Sequence, residues 1–167
     1  MIQVYTGNGK GKTTAALGLI LRASGAGKKV YLCQFLKGKD CCELRSLKKF
    51  KNIKVEQFGT KCFVRHLPTE KDIKLAQAGL KAVKKAINGK SYSLVVLDEI
   101  NIALKLKLID LEDILAIIKS TPKETELVLT GRNAHPQVIQ AADLVSEIKE
   151  KKHYFKKGIR ARRGIEF

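Results

Sequence analysis

An α/β fold, with a mostly parallel sheet and helices on both of its faces, is what this 167-residue sequence predicts. Three observations carry that expectation. Short apolar runs alternate with longer helical patterns along the chain, the arrangement of a parallel sheet wrapped by crossover helices. A glycine-rich turn links the first run to the first helical pattern. The stretches that fit neither element follow strands, where an open α/β sheet binds its ligands.

The elements follow in order. "IQVYT" (Ile2–Thr6) reads as the first strand, and "KTTAALGLILRASG" as a helix that stops near Gly25. "KVYLCQFL" (Lys29–Leu36) and "IKVEQF" (Ile53–Phe58) are strands, with Cys33 expected in the core. Lys37–Cys42 and Gly59–Pro68 show no helical or alternating pattern and are candidate binding loops. A helix opens at Thr69, which with Asp72 imitates a capping box. Its apolar stripe, Ile73, Ala76, Leu80, Val83 and Ile87, steps by three and four, and Asn88-Gly89 ends it. "SLVVLDE" (Ser93–Glu99), "ELVLTG" (Glu126–Gly131) and "DLVSEI" (Asp143–Ile148) are strands, and a helix runs from its N-cap Asp110 to Ser120. No repeat or interdomain linker interrupts the chain, so residues 1–167 are expected to form one domain.

Composition narrows the function. Thirty-three Lys and Arg against sixteen Asp and Glu give a formal charge of +17, which suits either a polyanionic partner or a Lys-rich solvated surface. The four cysteines lack the C-x-x-C spacing of a zinc site. No stretch approaches the run of about 18 apolar residues that spans a bilayer. The opening "MIQVY" leads straight into a strand, so a cytoplasmic protein without membrane attachment is expected.

The chemistry starts at "TGNGKGKTT". It ends as a phosphate-binding P-loop, but Thr6 stands where the usual spacing has its first glycine, and Gly7 arrives one residue late. Gly7, Gly9 and Gly11 let several N–H groups turn toward one anion. Lys12 is expected to reach phosphate oxygens and Thr13 to offer its hydroxyl to Mg²⁺. A strand before the loop and a helix after it supply the required context. The second signal is "LVVLDE", an apolar strand that delivers Asp98 and Glu99 at its tip, where a carboxylate holds a metal against phosphates. Together the two predict a Mg-nucleotide site in a P-loop NTPase-like (RecA-like) domain. Glu99 is open to two roles, metal ligand or base for an attacking water. "LTGRNAHP" puts Arg132 and Asn133 just past a strand, at the edge of such a site. The basic tail "KEKKHYFKKGIRARRGIEF" carries Tyr154, Phe155, Ile159, Ile165 and Phe167, too much apolar content for a solvated terminus.

"YTGNGKGKTTAA", "VVLDEIN", "LTGRNAHP", "AADLVSEI" and the tail, in this order, resemble the ATP:corrinoid adenosyltransferases of the CobA/BtuR/CobO type. The resemblance runs from about Ile2 to Phe167. It implies transfer of the 5′-deoxyadenosyl group of ATP to Co(I) of a corrinoid, cobalamin or a precursor, with release of triphosphate. It implies Mg²⁺ or Mn²⁺, an electron-donating reductase and a homodimer as partners. The triphosphate is implied to lie in the P-loop in reversed sense, which relieves the loop of poising a β–γ bond for attack. By position, Gly7, Asn8, Gly9, Lys10, Gly11, Lys12, Thr13 and Thr14 are implied to bind ATP, with Asn8 a candidate for the ribose and Lys12 and Glu99 catalytic. Thr13, Asp98 and Glu99 are implied to hold the metal. Phe58, Gly59, Phe63 and His66 fall in the corrinoid-facing loop. Relatives have a Gly-Phe-x-Trp run there, whereas this chain has no Trp, so Phe58 or Phe63 is expected to take its place. The rival function is a nucleic-acid-stimulated ATPase, suggested by the charge and the basic tail.

Overall fold

The computed structural model describes residues 1–38, 41–60 and 68–167. Among them, six parallel strands form one sheet in the order β3-β2-β4-β5-β1-β6. The strands are β1 (Ile2–Thr6), β2 (Val30–Phe35), β3 (Ile53–Phe58), β4 (Leu94–Asp98), β5 (Glu126–Thr130) and β6 (Leu144–Glu147). Each was expected from its apolar run, to within a residue at most ends. Because all run the same way, the turns after β1, β2, β3, β4 and β5 share one edge of the sheet.

Period-two geometry divides each central strand between two cores. Tyr31, Cys33 and Phe35 of β2, with Val95 and Leu97 of β4, face one cluster. Val30, Leu32, Leu94 and Val96 face the other. The helix α1 (Lys12–Gly25) covers the second cluster with Ala16 and Ile20. On the first lie α3 (Glu70–Asn88), through Ala76, Leu80, Val83 and Ile87, and α5 (Leu111–Ser120), through Ile114 and Ile117. Three short helices had no counterpart in the sequence reading: α2 (Cys42–Leu47), α4 (Ile100–Lys105) and α6 (Pro136–Gln140).

Two details depart from expectation. Ile73 does not share the buried stripe of α3 and is 41% exposed. The opening turn buries Asp72 instead, whose carboxylate accepts from the Thr69 amide and hydroxyl and from Thr60, completing the capping box. The tail's apolar groups are largely in water, with Phe155 70% and Ile165 57% exposed. No helix among the described residues is long and apolar enough to cross a membrane.

Candidate functional site

The turn after β1 is clamped from two sides. Thr6, in the place of the usual glycine, is the last residue of β1 and accepts on Oγ1 from the Ala134 amide (3.2 Å), while the Ile148 amide donates to its carbonyl (2.9 Å). The loop therefore begins only at Gly7. Gly7 has φ +94°, and a Cβ there would collide with the main chain of Ile148. The Gly9 amide donates to the Ile148 carbonyl at 2.7 Å, so the loop rests directly on the chain leaving β6. The short spelling thus has a physical reason: the first position serves the sheet, and the tight backbone contact falls on Gly7.

Lys12 opens α1, is 7% exposed, and donates to the carbonyls of Gly7 and Gly9, both at 2.7 Å. Burial, and then the nearby Arg132 charge, lower its pKa, against the pull of Glu99. A poorly solvated ammonium, held among the described residues by neutral carbonyls, is well placed to exchange them for an anion.

Thr13 lies one residue on. Its hydroxyl donates to Asp98 Oδ1 at 2.9 Å, joining the P-loop helix to the tip of β4. Asp98 is fully buried, and its carboxylate accepts four hydrogen bonds among the described residues. Oδ1 takes Thr13 and Thr130 (2.7 Å), and Oδ2 takes Gln34 (3.1 Å) and Lys37 (2.7 Å). Burial works to raise its pKa, but the Lys37 charge and the hydrogen bonds from Lys37, Thr130 and Thr13 outweigh it and keep the carboxyl below its ordinary value. Asp98 is ionised at neutral pH.

Glu99 stands in left-handed backbone (φ 63°), with its amide donating to Thr130 Oγ1 (3.0 Å). Burial, and then the adjacent Asp98 charge, raise its pKa, while Lys37, Lys12 and Arg132 pull it down. The charges of all three cations are felt at this one carboxylate, and Arg132 stands just past the end of β5. Asn133, beside it, is exposed and left-handed (φ 57°). Asn101, under Gly131, is buried with its Oδ1 lacking a partner among the described residues.

The remaining predicted residues divide. Asn8, Lys10 and Thr14 are exposed on the loop and the first turn of α1. Lys10 turns away from the Asp98 cluster, donating to Tyr154 and Glu166 of the tail, both at 2.9 Å. Phe58 ends β3 half-buried, its ring beside Phe35 near Gly79 of α3 and packed on the first cluster. Gly59 follows at the same edge. Phe63 and His66 lie outside the described residues.

Three of the side chains that meet at Asp98 escaped the sequence reading as individuals: Gln34, Lys37 and Thr130. The signal for Gln34 was a lone amide in the apolar strand "VYLCQF", and Thr130 was the polar end of "ELVLT". Lys37 was legible only as part of a candidate binding loop.

The donors that meet at Thr13 and Asp98 are hard oxygens, and an ammonium already lies between them; such a set fits Mg²⁺ or Mn²⁺. The arrangement can therefore neutralise and orient a polyphosphate next to a small divalent ion.

Comparison with known proteins identifies the family. The profile of the family ATP:corrinoid adenosyltransferase BtuR/CobO/CobP matches residues 1–167. A corrinoid adenosyltransferase of Pseudomonas aeruginosa is 38% identical, over the whole chain and 83% of its own length. One from a Sinorhizobium species is 39% identical over the whole chain and 80% of its length. The corrinoid adenosyltransferase CobA of Salmonella typhimurium is 33% identical over the whole chain and 85% of its length. In fold, a KaiC-like protein from the archaeon Pyrococcus horikoshii superposes with a TM-score of 0.52 at 19% identity, covering 90% of this chain and 74% of its own.

Proposed function

This chain belongs to the ATP:corrinoid adenosyltransferases, and from that premise we propose that its strand-tip site holds ATP by the triphosphate and passes the 5′-deoxyadenosyl group to a Co(I) corrinoid. The observation that carries the reading is the Thr13–Asp98 hydrogen bond beside the buried Lys12, a polyphosphate and metal cradle in a chain that the family profile matches from end to end.

In the proposed reaction the Co(I) substrate supplies the electron pair of a new Co–C5′ bond. The C5′–O bond breaks, and its electron pair leaves on triphosphate. Cobalt is the nucleophile, so no side chain has to attack or to remove a proton. What the protein contributes is orientation and charge. Gly7–Thr14 would cradle the triphosphate, and Lys12 would leave the Gly7 and Gly9 carbonyls for the oxygen on which charge grows. Thr13 and Asp98, with Glu99 beside them, would hold Mg²⁺, which supplies further neutralisation of the triphosphate. Asn8 is proposed for the ribose, and Arg132 and Asn133 for the open edge. Gly59 and the loop with Phe63 and His66 are proposed for the corrinoid side.

Co(I) has to be made from Co(II), so an electron-donating reductase is a proposed partner. A homodimer is also proposed; the exposed apolar groups Leu144 and Val145 on the edge strand β6 support self-association. The nucleic-acid-stimulated ATPase is not favoured by the relatives, and the +17 charge then belongs to a Lys-rich surface and the polyphosphate site.

The test is direct. Protein, Mg-ATP and chemically reduced corrinoid should give the absorbance change of a Co–C bond, with triphosphate as the nucleotide-derived product and only when Co(I) is present. Formation of ADP and phosphate instead, accelerated by DNA or RNA, would overturn the reading.

A further inference from the structure

We propose that Lys37 is a built-in stand-in for the divalent cation: its ammonium keeps the cation position between Thr13 and Asp98 and gives it up, moving onto the triphosphate, when metal and nucleotide arrive. The proposal rests on the assignment of Thr13 and Asp98 to the metal, not on the identity of the group transferred.

Lys37 Nζ lies 2.7 Å from Asp98 Oδ2 and 3.5 Å from Thr13 Oγ1, so one ammonium touches both side chains assigned to the ion. Among the described residues Asp98 accepts four hydrogen bonds, so an ion reaches the carboxylate by displacing a donor. Three of the donors are poorly able to withdraw. Thr13 is short and fixed in the first turn of α1, Thr130 is short and ends β5, and Gln34 sits fully buried in β2, where its Oε1 also accepts from Gln57 at 3.0 Å. Lys37 differs in kind. It stands in the turn after β2 on a four-carbon stem, and its side chain keeps 18% of its surface in water, against 1% for Asp98.

The backbone under Lys37 is fixed, so the stem is the part that can move. Leu36, just before it, adopts φ 59°, a left-handed conformation that leucine rarely takes. Its amide donates to the Phe58 carbonyl at 3.0 Å. Main chains then touch: a Cβ on Gly38 would strike the backbone of Gly59 and Thr60, and one on Gly59 the backbone of Leu36 and Lys37. A lysine anchored at its root, with its ammonium on a flexible four-carbon stem, can swing between two anions, the Asp98 carboxylate and an incoming phosphate. The competing explanation is a permanent counter-ion that only neutralises Asp98. Exchange and permanence predict opposite responses to metal.

The probes are Mn²⁺ alone and inorganic triphosphate, so adenosylation is not the readout and the transferase reading can fail separately. In nucleotide-free protein, Lys37→Met should bind Mn²⁺ roughly tenfold or more tightly than the wild type by electron paramagnetic resonance, since a competing charge has gone. The thermal stability that this variant loses should be regained on adding Mn²⁺. Lys37→Arg, which keeps the charge, should track the wild type. With Mg²⁺ present, Lys37→Met should bind triphosphate roughly tenfold more weakly, having lost a charged contact. If Lys37→Met does not fold, Lys37→Gln, which keeps a donor for Asp98, is measured in the same way. Unchanged Mn²⁺ affinity, with stability lost equally with and without the ion, would establish the permanent counter-ion and overturn the exchange. Unchanged triphosphate affinity would overturn the transfer of Lys37 to phosphate.

Discussion

On the β4 side of the P-loop, Asp98 is shut away from water under four hydrogen bonds, whereas on the β6 side every residue of Leu144–Glu147 is exposed and the tail beyond is held by ion pairs in water. Both flanks touch the same loop. The first does so through Thr13, and the second through the Ile148 carbonyl and through Lys10, which reaches Tyr154 and Glu166. Buried polar groups cost a great deal when a partner is lost, while solvated ion pairs are worth little. The β4 flank is therefore a floor set before any ligand arrives, from which Lys37 alone is proposed to withdraw, and the β6 flank is an adjustable wall.

The sharpest break in that contrast is at Asp98. Asp98→Ala strands the Lys37 ammonium and the buried Gln34 amide together, and removing one side of such a buried charge cluster costs about 3–5 kcal/mol. Denaturant unfolding should show that loss in the absence of any ligand. A variant as stable as the wild type would mean that the floor is not preset. Lys12→Ala should leave the fold almost intact and lower turnover by roughly 10²–10³-fold, with a smaller effect on ATP binding, as expected for a donor aimed at developing charge. Comparing kcat with the ATP dissociation constant decides it; equal losses in both would make Lys12 a ground-state binder.

Gly7→Ala tests the seam between loop and wall. It sets a Cβ against the Ile148 main chain at a positive φ, and overpacking of this kind costs about 1–3 kcal/mol. Gly18→Ala is the control, in an exposed interior position of α1 with nothing within 4 Å, where it should stabilise by about 0.5–1 kcal/mol. Thermal melts of the two should move in opposite directions.

What could be read from the sequence follows the same division between local and distant causes. The strands, the P-loop, the Asp98-Glu99 strand tip and the Thr69–Asp72 cap are written in neighbouring residues, and each was legible. The helices α2, α4 and α6 have six, six and five residues, fewer than two turns, so no 3.6-residue period had room to appear. Gln34, Lys37 and Thr130 join Asp98 across 64, 61 and 32 positions of sequence, and only the strand order brings them together. The place of Thr6 shows the same limit from the other side. Its spelling was visibly odd, but the Ala134 amide that explains it is 128 positions away.

The smallest effect is expected at the wall, and its pH dependence gives it a signature. Glu166 accepts from Tyr154, from Arg162 and from Lys10, and these contacts hold its carboxyl well below the usual carboxylate range, the Tyr154 hydrogen bond first among them. A carboxylate whose pKa is depressed in the folded chain contributes its full stabilisation above the ordinary value, and loses it only as pH falls through the depressed one. The tail should therefore stay on Lys10 from neutral pH down through the ordinary carboxylate range, and release only in stronger acid. Glu166→Gln removes the charge at every pH, so this variant should show the released state already at neutral pH, with little change in global stability. Limited proteolysis after the tail's lysines and arginines reads the difference at neutral pH, and tyrosine fluorescence follows it down the titration. Equal protection of variant and wild type at neutral pH would show that packing, not the Glu166 charge, holds the wall, and the contrast between the two flanks would then have to be drawn from burial alone.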